Sequence, residues 1–276
     1  MPAISPSGLY MGTKHLVKSV DGHITYLVAL FDQEDASLAY LIDGLYLTAT
    51  RTAATSAAAL SLLSPMDAPV DLAVLGSGLE ASTHVEAIAH VRTVRSLAVY
   101  SPSEEKRQAF GRRFSQELEI AVRVAGSAES AVAGATHVVA AARAQGEQPI
   151  LFASWIAKGS VVISIGSTLP TQRELDVSVI ERAAVIVADE PEELATETGD
   201  MLEATARGIA FDSKLFSLRA LARGALSGLL SESRELVLFK SMGSGLQDIA
   251  FAEFVADRCT QAGVGVELPV ELAVKS

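Results

Sequence analysis

From residue 70 onward, short apolar runs alternate with helical patterns, and this alternation limits the folds open to the chain. Helical patterns cover residues 79–90 and 103–117, with a shorter one at 128–133. Strand-like apolar runs lie at 70–75, 96–100, 120–124, 137–141, 160–165, 184–188 and 235–240. Strands that alternate with helices run parallel and are covered on both faces. The sequence therefore predicts an α/β fold with a doubly wound parallel sheet.

The turn between the first strand and the first helix of this series reads Gly76-Ser77-Gly78-Leu79-Glu80-Ala81. Gly76 permits a tight turn, Gly78 lets the backbone approach a pyrophosphate, and Ala81 lets the helix pack against the strand. The helix N-terminus offers N–H donors and partial positive charge to the phosphates. A glycine turn of this kind can also be purely structural, but its place at the first βα junction favours a Rossmann domain that binds NAD or NADP.

The end of the second strand bears on the choice between the two cofactors. NAD enzymes commonly carry an acidic residue there for the ribose hydroxyls, whereas this chain has Ser101. Ser101, Ser103 and Arg107 are candidate ligands of a 2′-phosphate, although Ser103 also fits a helix N-cap and Arg107 a solvated helix face. The missing acid favours NADP, with NAD as the alternative.

The chain before residue 64 has a different pattern. Residues 24–31 and 37–42 are predicted strands joined by a turn, and Asp43-Gly44 is a further turn signal. Residues 52–60 are small and predict a helix that ends before Pro65. The front of the chain is therefore expected to be mostly antiparallel β structure.

Composition excludes several classes of protein. A formal net charge of -11 argues against a general binder of nucleic acid or anionic membranes. The single cysteine, Cys259, allows no internal disulfide and fits a cytoplasmic protein. The histidines show no metal-ligand spacing, so no metal is expected. No apolar run has the length of a transmembrane helix, and the N-terminus has no signal-peptide pattern.

Five blocks in order along the chain resemble motifs of the ornithine cyclodeaminase/μ-crystallin family. They are GTK at 12–14, LTATRTAATS at 47–56, LGSGLEA at 75–81, GSTLPTQRELD at 166–176, and LFKSMG at 238–243 with Asp248. The resemblance implies a homodimer whose subunit has a Rossmann domain and a smaller α+β domain for substrate binding and dimerisation. We expect the smaller domain at 1–63, the Rossmann domain at 64–241, and a C-terminal helix within 242–276 that returns to the smaller domain.

The resemblance also assigns roles to residues. Lys14 matches the family's active-site lysine and could bind the substrate carboxylate or relay a proton. Arg51 could hold a carboxylate or the cofactor phosphate. Thr168 stands where cyclodeaminases and alanine dehydrogenases of the family carry Asp and ketimine reductases carry a hydroxyl residue. A neutral hydroxyl cannot deprotonate an ammonium group, but it can hydrogen-bond an imine or a water molecule. We therefore expect Lys14 and Thr168 to be catalytic, and Lys14, Arg51 and Thr168 to bind substrate.

Cofactor contacts are expected along the carboxyl ends of the strands. The predicted cofactor-binding residues are Arg51, Thr52, Gly76, Ser77, Gly78, Leu79, Glu80, Ser101, Ser103, Arg107, Ala141, Gly166 and Ser241. The family's T-x-T after the fourth strand is replaced by Ala140-Ala141-Ala142, so backbone contacts must serve there. Asp248 is interpreted as a structural helix cap.

The expected activity is NAD(P)H-dependent reduction of an α-imino acid, such as the cyclic ketimines 1-pyrroline-2-carboxylate and 1-piperideine-2-carboxylate. Two alternatives stay open: an amino-acid dehydrogenase or ornithine cyclodeaminase, and a μ-crystallin-type protein that binds NADP and a small ligand. Family members carry, before the position of Met1, a segment whose arginine binds the substrate carboxylate. Either the start lies upstream, or the chain is short, or the role of that arginine has moved.

Overall fold

The computed structural model describes residues 2–144, 146–232 and 235–269, and two sheets organise it. The strands are β1 (Pro2–Ile4), β2 (Tyr10–Lys18), β3 (Ile24–Asp32), β4 (Leu38–Asp43), β5 (Val70–Leu75), β6 (Val94–Tyr100), β7 (Val122–Val124), β8 (His137–Ala140), β9 (Val161–Ser164), β10 (Val185–Ala188), β11 (Leu215–Ser217) and β12 (Val237–Lys240). The α-helices are α1 (Gly44–Leu63), α2 (Leu79–Val91), α3 (Glu104–Glu117), α4 (Ala128–Val132), α5 (Val177–Arg182), α6 (Pro191–Glu197), α7 (Gly199–Ala206), α8 (Leu218–Ala222), α9 (Ser227–Glu232) and α10 (Gly245–Ala262).

The chain divides into two units, one of residues 1–51 with 243–276 and the other of residues 52–242. The division falls within α1, twelve residues before the boundary expected from the sequence at 63/64. The expected C-terminal segment groups with the front of the chain, and its residues 270–276 lie outside the described residues.

The larger unit is built on an eight-stranded parallel sheet with the order β11-β10-β12-β9-β8-β5-β6-β7. Strands β8, β9, β10 and β12 are buried at every position, as expected for short apolar runs covered on both faces. The chain moves outward from β5 to β6 and β7 and then returns to β8 on the other side of β5. Doubly wound sheets bind ligands outside the carboxyl ends of the strands at such a reversal. The predicted fold class is confirmed.

The smaller unit has a four-stranded antiparallel sheet in the order β1-β2-β3-β4. Helix α10 packs on one face of this sheet, and its Ile249 and Ala252 share a core with Val28 and Leu30 of β3. Gly12 of β2 makes the close approach possible, because a Cβ there would lie 2.9 Å from the Ile249 side chain and 2.5 Å from a neighbouring carbonyl oxygen. The antiparallel front predicted from the sequence is therefore present, with β1 and β2 added to it.

One turn predicted from the sequence is wrong. Asp43-Gly44 does not close a hairpin, because α1 begins at Gly44. The Asp43 side chain accepts a hydrogen bond of 2.9 Å from the backbone N–H of Leu45. An Asp-Gly pair fits both a tight turn and the start of a helix, since the carboxylate can accept an N–H that has no partner within the helix.

Neither a membrane-spanning helix nor a metal-binding cluster is found among the described residues. None of their helices is both long and apolar enough to cross a bilayer. Their His, Cys, Asp and Glu side chains form no group of three or more that could hold a metal ion.

Candidate active site

The glycine turn after β5 lies at the strand reversal of the parallel sheet. Gly76 has φ +127°, and a Cβ there would lie 2.7 Å from the carbonyl oxygen of Ala141, so only glycine fits. Gly78 is the N-cap of α2 with φ −89°, and a Cβ there would meet no atom within 4 Å. The turn thus places the start of a 13-residue helix beside open space. This is the geometry that a dinucleotide pyrophosphate requires.

Serine hydroxyls connect the glycine turn to the end of β6. The Oγ atoms of Ser77 and Ser101 are 2.8 Å apart, and Arg107 Nη1 donates to the carbonyl oxygen of Ser101 at 3.0 Å. Ser103 is the N-cap of α3, the structural role weighed for it from the sequence. The structure therefore brings Ser77, Ser101 and Arg107 together, and β6 ends without an acidic residue at its tip.

The remaining cofactor candidates of the larger unit continue along the carboxyl ends of the strands. Ala141 N–H donates to the carbonyl of Leu75 at 2.9 Å, and Ser241 N–H donates to the carbonyl of Ser164 at 3.0 Å. The Ser241 hydroxyl donates to Asp189 Oδ2 at 2.6 Å. Gly166 follows β9, Leu79 and Glu80 open α2, and Thr52 is buried in α1.

Thr168 lies in the loop after β9, as expected from its motif. Its hydroxyl donates to Gln172 Oε1 at 3.2 Å, and its backbone N–H donates to the same oxygen at 2.9 Å. The two acidic residues of this loop, Glu174 and Asp176, make contacts away from Thr168. Glu174 is fully buried and accepts backbone hydrogen bonds, and Asp176 caps α5 by accepting from Ser178 N–H. Neither carboxylate is therefore placed to replace the family aspartate at Thr168.

The smaller unit contains a buried ion cluster that includes two of the predicted substrate residues. Asp248 Oδ2 lies 2.7 Å from Lys14 Nζ, and Asp248 Oδ1 lies 2.8 Å from Arg51 Nε. The exposed fractions of the side chains are 9% for Lys14, 8% for Arg51 and 0% for Asp248. Arg51 Nη1 also donates to Gln247 Oε1 at 3.1 Å. The Asp248 carboxylate thus contacts an ammonium and a guanidinium at the same time.

The local sequence explains why these groups meet. Lys14 follows Gly12 by two positions in β2 and so lies on the face that α10 covers. Gly243, with φ +81°, lies before α10, and a Cβ there would be 2.6 Å from Arg51 Nη2. Glycine is therefore required beside the guanidinium, which accounts for the glycine of the LFKSMG block.

The interpretation of Asp248 as a helix cap is wrong. Ser244 is the N-cap of α10 and forms a capping box with Gln247. Asp248 lies one turn further along and turns its carboxylate to Lys14 and Arg51. The sequence could not reveal this, because Arg51 and Asp248 are 197 positions apart. The available signal was that Asp248 follows the matched LFKSMG block.

Sequence reasoning also missed a buried group at the carboxyl ends of β9 and β12. Glu174, Asp200 and Lys240 are each 0% exposed. Burial raises the pKa of Glu174 to about 7, against the opposing effect of the nearby Lys240 ammonium and of hydrogen bonds from Ser164 and Gly166. The available signal was in the matched blocks GSTLPTQRELD and LFKSMG. Their RELD and LFKS segments carry charged residues next to apolar strands.

Comparison with known protein families agrees with the geometry. The profile described as the ornithine cyclodeaminase/mu-crystallin family matches residues 1–263. The chain belongs to this family. The resemblance drawn from the sequence blocks is therefore confirmed, and the match extends over both units of the chain.

Individual relatives are similar to this chain over most of its length. The ketimine reductase mu-crystallin of Mus musculus is 31% identical over 264 residues, covering 93% of this chain and 79% of the relative. A Delta(1)-pyrroline-2-carboxylate reductase of Bacillus cereus is 29% identical over 249 residues, covering 90% and 74%. The structure of Thermococcus litoralis Delta(1)-pyrroline-2-carboxylate reductase with NADH and L-proline has a TM-score of 0.83 at 23% identity, covering 94% and 81%. This last likeness supports the fold.

Proposed function

We propose that this chain is an NAD(P)H-dependent oxidoreductase that reduces the C=N bond of an α-imino acid, such as 1-pyrroline-2-carboxylate or 1-piperideine-2-carboxylate. Its similarity to a ketimine reductase and to a pyrroline-2-carboxylate reductase supports this reaction class. The observation that carries the choice of reduction over cyclodeamination is the loop after β9, where Thr168 is neutral and both neighbouring acids are engaged in structural contacts.

NADP is the proposed cofactor, with NAD as an alternative. Gly76, Ser77 and Gly78, at the N-terminus of α2, would hold the pyrophosphate, and Ser101 with Arg107 would meet the adenosine ribose or its 2′-phosphate. When bound, the reduced nicotinamide supplies the hydride that the imine carbon accepts. Ala141, Gly166 and Ser241 lie at the ends of β8, β9 and β12, where we expect the nicotinamide half.

Lys14 and Arg51 would hold the substrate carboxylate. Both side chains are cations that lie on one Asp248 carboxylate, and an ammonium with a guanidinium is a donor set that binds carboxylates. Asp248 fixes both cations, so little side-chain freedom is lost when the substrate binds. The imine nitrogen gains one proton as the carbon gains hydride, and either Lys14 or a water on Thr168 would deliver it.

A panel of cyclic ketimines and α-keto acids tests this function, with NADPH or NADH consumption followed at 340 nm. We expect the ketimines to oxidise the cofactor and Lys14→Met to reduce kcat/KM by about a hundredfold, as loss of a proton donor does. Arg51→Met should mainly raise KM, because it removes a carboxylate contact. Tight NADPH binding without turnover of any panel member would contradict the enzyme function and favour a ligand-binding protein.

A homodimer is the proposed assembly. The face of the four-stranded sheet opposite α10 exposes Val17, Leu27 and Leu41, which share one side by register. A second copy of the chain would cover this apolar face. Leu27→Glu combined with Leu41→Glu should yield a monomer by sedimentation velocity, whereas Leu229→Glu, at an exposed leucine of α9, should not. A wild-type monomer at micromolar concentration would refute the dimer.

We also propose a cytosolic location. The reduced nicotinamide cofactor is consumed inside cells, and Cys259, the one cysteine of the sequence, cannot form an intramolecular disulfide. Fractionation with an antibody against the chain tests this proposal, which fails if the protein is recovered from an oxidising compartment.

A further inference from the structure

A buried carboxylate joins the backbone segments that follow β8 and β9. Glu174 Oε2 accepts from Ile165 N–H at 3.0 Å and from Gly166 N–H at 2.9 Å, while Oε1 accepts from Ala142 N–H at 3.2 Å. A Cβ on Gly166 would lie 2.3 Å from Glu174 Oε1, so this glycine is needed for the carboxylate to fit. Glu174 thus fixes two neighbouring loop backbones with one side chain.

A second buried pair supports Glu174 from β12 and α7. Ser164 donates to Glu174 Oε2 at 2.6 Å, and Lys240 Nζ donates to Ser164 Oγ at 3.0 Å. Lys240 also pairs with Asp200 Oδ2 at 2.8 Å, and Asp200 Oδ1 accepts from the backbone N–H of Glu174 at 2.9 Å. Arg173 completes the charged surroundings through a contact of 3.4 Å with Asp200. These contacts form a closed circuit, the Glu174 circuit, which runs from Glu174 through Ser164, Lys240 and Asp200 back to Glu174.

Buried charged groups of this kind contribute little net stability to a core. Taking two carboxylates and an ammonium out of water costs several kcal/mol per ion, and a well-packed apolar replacement is often as stable. The position of the Glu174 circuit is the informative feature, because it lies at the carboxyl ends of β8, β9 and β12, beside the strand reversal where this fold binds its ligand. Buried charged groups in such places commonly serve function.

We propose that Glu174 is a positioning residue for the dinucleotide, holding the loops after β8 and β9 in the arrangement that receives the nicotinamide half. The proposal rests on the proposed cofactor dependence and adds a role for the RELD and LFKS blocks. Ser164 and Lys240 act through Glu174, since the Ser164 hydroxyl donates to the Glu174 carboxylate and Lys240 donates to that hydroxyl.

Two serines of one strand segment provide a matched test. Ser164 is the last residue of β9 and Ser160 immediately precedes that strand. Both are buried, and Ser160 Oγ donates to the carbonyl of Ala135 at 3.0 Å. NADH affinity is measured by nucleotide fluorescence for the wild type, Glu174→Gln, Ser164→Ala and Ser160→Ala, each checked for folding by circular dichroism. Glu174→Gln and Ser164→Ala should raise Kd about tenfold, as loss of a hydrogen bond to a charged group does. Ser160→Ala should leave Kd for NADH unchanged.

The pH dependence of affinity separates positioning from simple stability. Burial raises the pKa of Glu174 to about 7, and only the ionised carboxylate accepts all of its hydrogen bonds. The competent fraction therefore rises from about a tenth at pH 6 to about nine-tenths at pH 8, and Kd for NADH should fall by about tenfold over that range. NADH has no 2′-phosphate whose own titration would interfere. Glu174→Gln should remove this dependence, and Ser160→Ala should retain it.

The outcomes distinguish this proposal from the proposed function. Wild-type affinity for NADH in Glu174→Gln and Ser164→Ala, with an unchanged pH profile, would overturn the positioning role and leave the reductase proposal intact. An equal loss of affinity in Ser160→Ala would also overturn it, because a structural defect would then suffice. A folded wild type that binds neither NADH nor NADPH would overturn both.

Discussion

Gly76 and Gly78 stand in the same turn but are glycine for different reasons. Gly76 is required by the protein itself, because its φ of +127° and its contact with Ala141 exclude a side chain. Gly78 has an ordinary φ of −89° and open space around it, so the fold places no demand on it. A bound pyrophosphate would supply the missing reason. Folding therefore explains the glycine at 76, and binding of a dinucleotide would explain the glycine at 78.

Replacing Gly78 with aspartate should abolish dinucleotide binding while the protein stays folded. The new carboxylate would occupy the space beside the α2 N-terminus and repel the phosphates, so we expect affinity to fall by about a hundredfold or more. Calorimetric titration of the folded variant with NADPH and NADH measures this affinity. Gly228→Asp is the control, since Gly228 of α9 also has open space and no strained φ. Unchanged affinity in Gly78→Asp would remove the phosphate-loop assignment.

Ser101 is the residue at which cofactor preference is expected to be set. Ser101→Asp should shift the ratio of NADPH to NADH affinity toward NADH by about tenfold or more, because a carboxylate repels a 2′-phosphate and accepts ribose hydroxyls. Ser103→Asp keeps the α3 N-cap and should have a smaller effect. Fluorescence titration of both cofactors measures the ratios. A wild type that already prefers NADH would contradict the prediction.

The residues that sequence reasoning identified are those with local signals. The glycine turn follows a strand and opens a helix within six positions, so its context could be checked along the chain. Asp248 and Glu174 have no such context, since Arg51 lies 197 positions from Asp248 and the partners of Glu174 come from three other segments. Which partner a buried carboxylate meets is decided by tertiary packing.

At the level of elements, the buried strands were the most predictable part of the fold. Every strand predicted in the βα series is present with bounds within two residues, because fully buried parallel strands are short apolar runs. Helices α5 to α9 have five to eight residues, which gives only a weak helical period, and they were not predicted, although the equally short α4 was. The start of α1 was missed because Asp43-Gly44 also fits a turn.

Helix α10 contributes the acid that holds the two cations of the smaller unit together. Asp248→Asn should lower the free energy of unfolding by about 3–5 kcal/mol, because Lys14 and Arg51 would both lose the buried carboxylate that they contact. Urea denaturation followed by circular dichroism measures this. Asp257→Asn, at an exposed position of the same helix, should leave the midpoint unchanged. Equal midpoints for the two variants would show that the cluster is not a stabilising ion network.

At the scale of the molecule, the two units carry different parts of the proposed chemistry. The larger unit has the glycine turn, Thr168 and the Glu174 circuit, and the smaller has the Lys14, Asp248 and Arg51 cluster. The family profile matches residues of both units. Composition and periodicity led to the nucleotide-binding fold, whereas the reaction depended on matched blocks and on one residue, Thr168.

Transfer of hydride from the cofactor to the imine carbon is the central claim of this account. NADPH deuterated at both C4 positions is incubated with the wild-type protein and 1-pyrroline-2-carboxylate or 1-piperideine-2-carboxylate, and the product is examined by mass spectrometry and NMR. One deuterium at the α-carbon of the cyclic amino acid, formed in step with cofactor oxidation, is the predicted result. Ammonia release from ornithine with only catalytic NAD, and no deuterated product from either ketimine, would contradict the account.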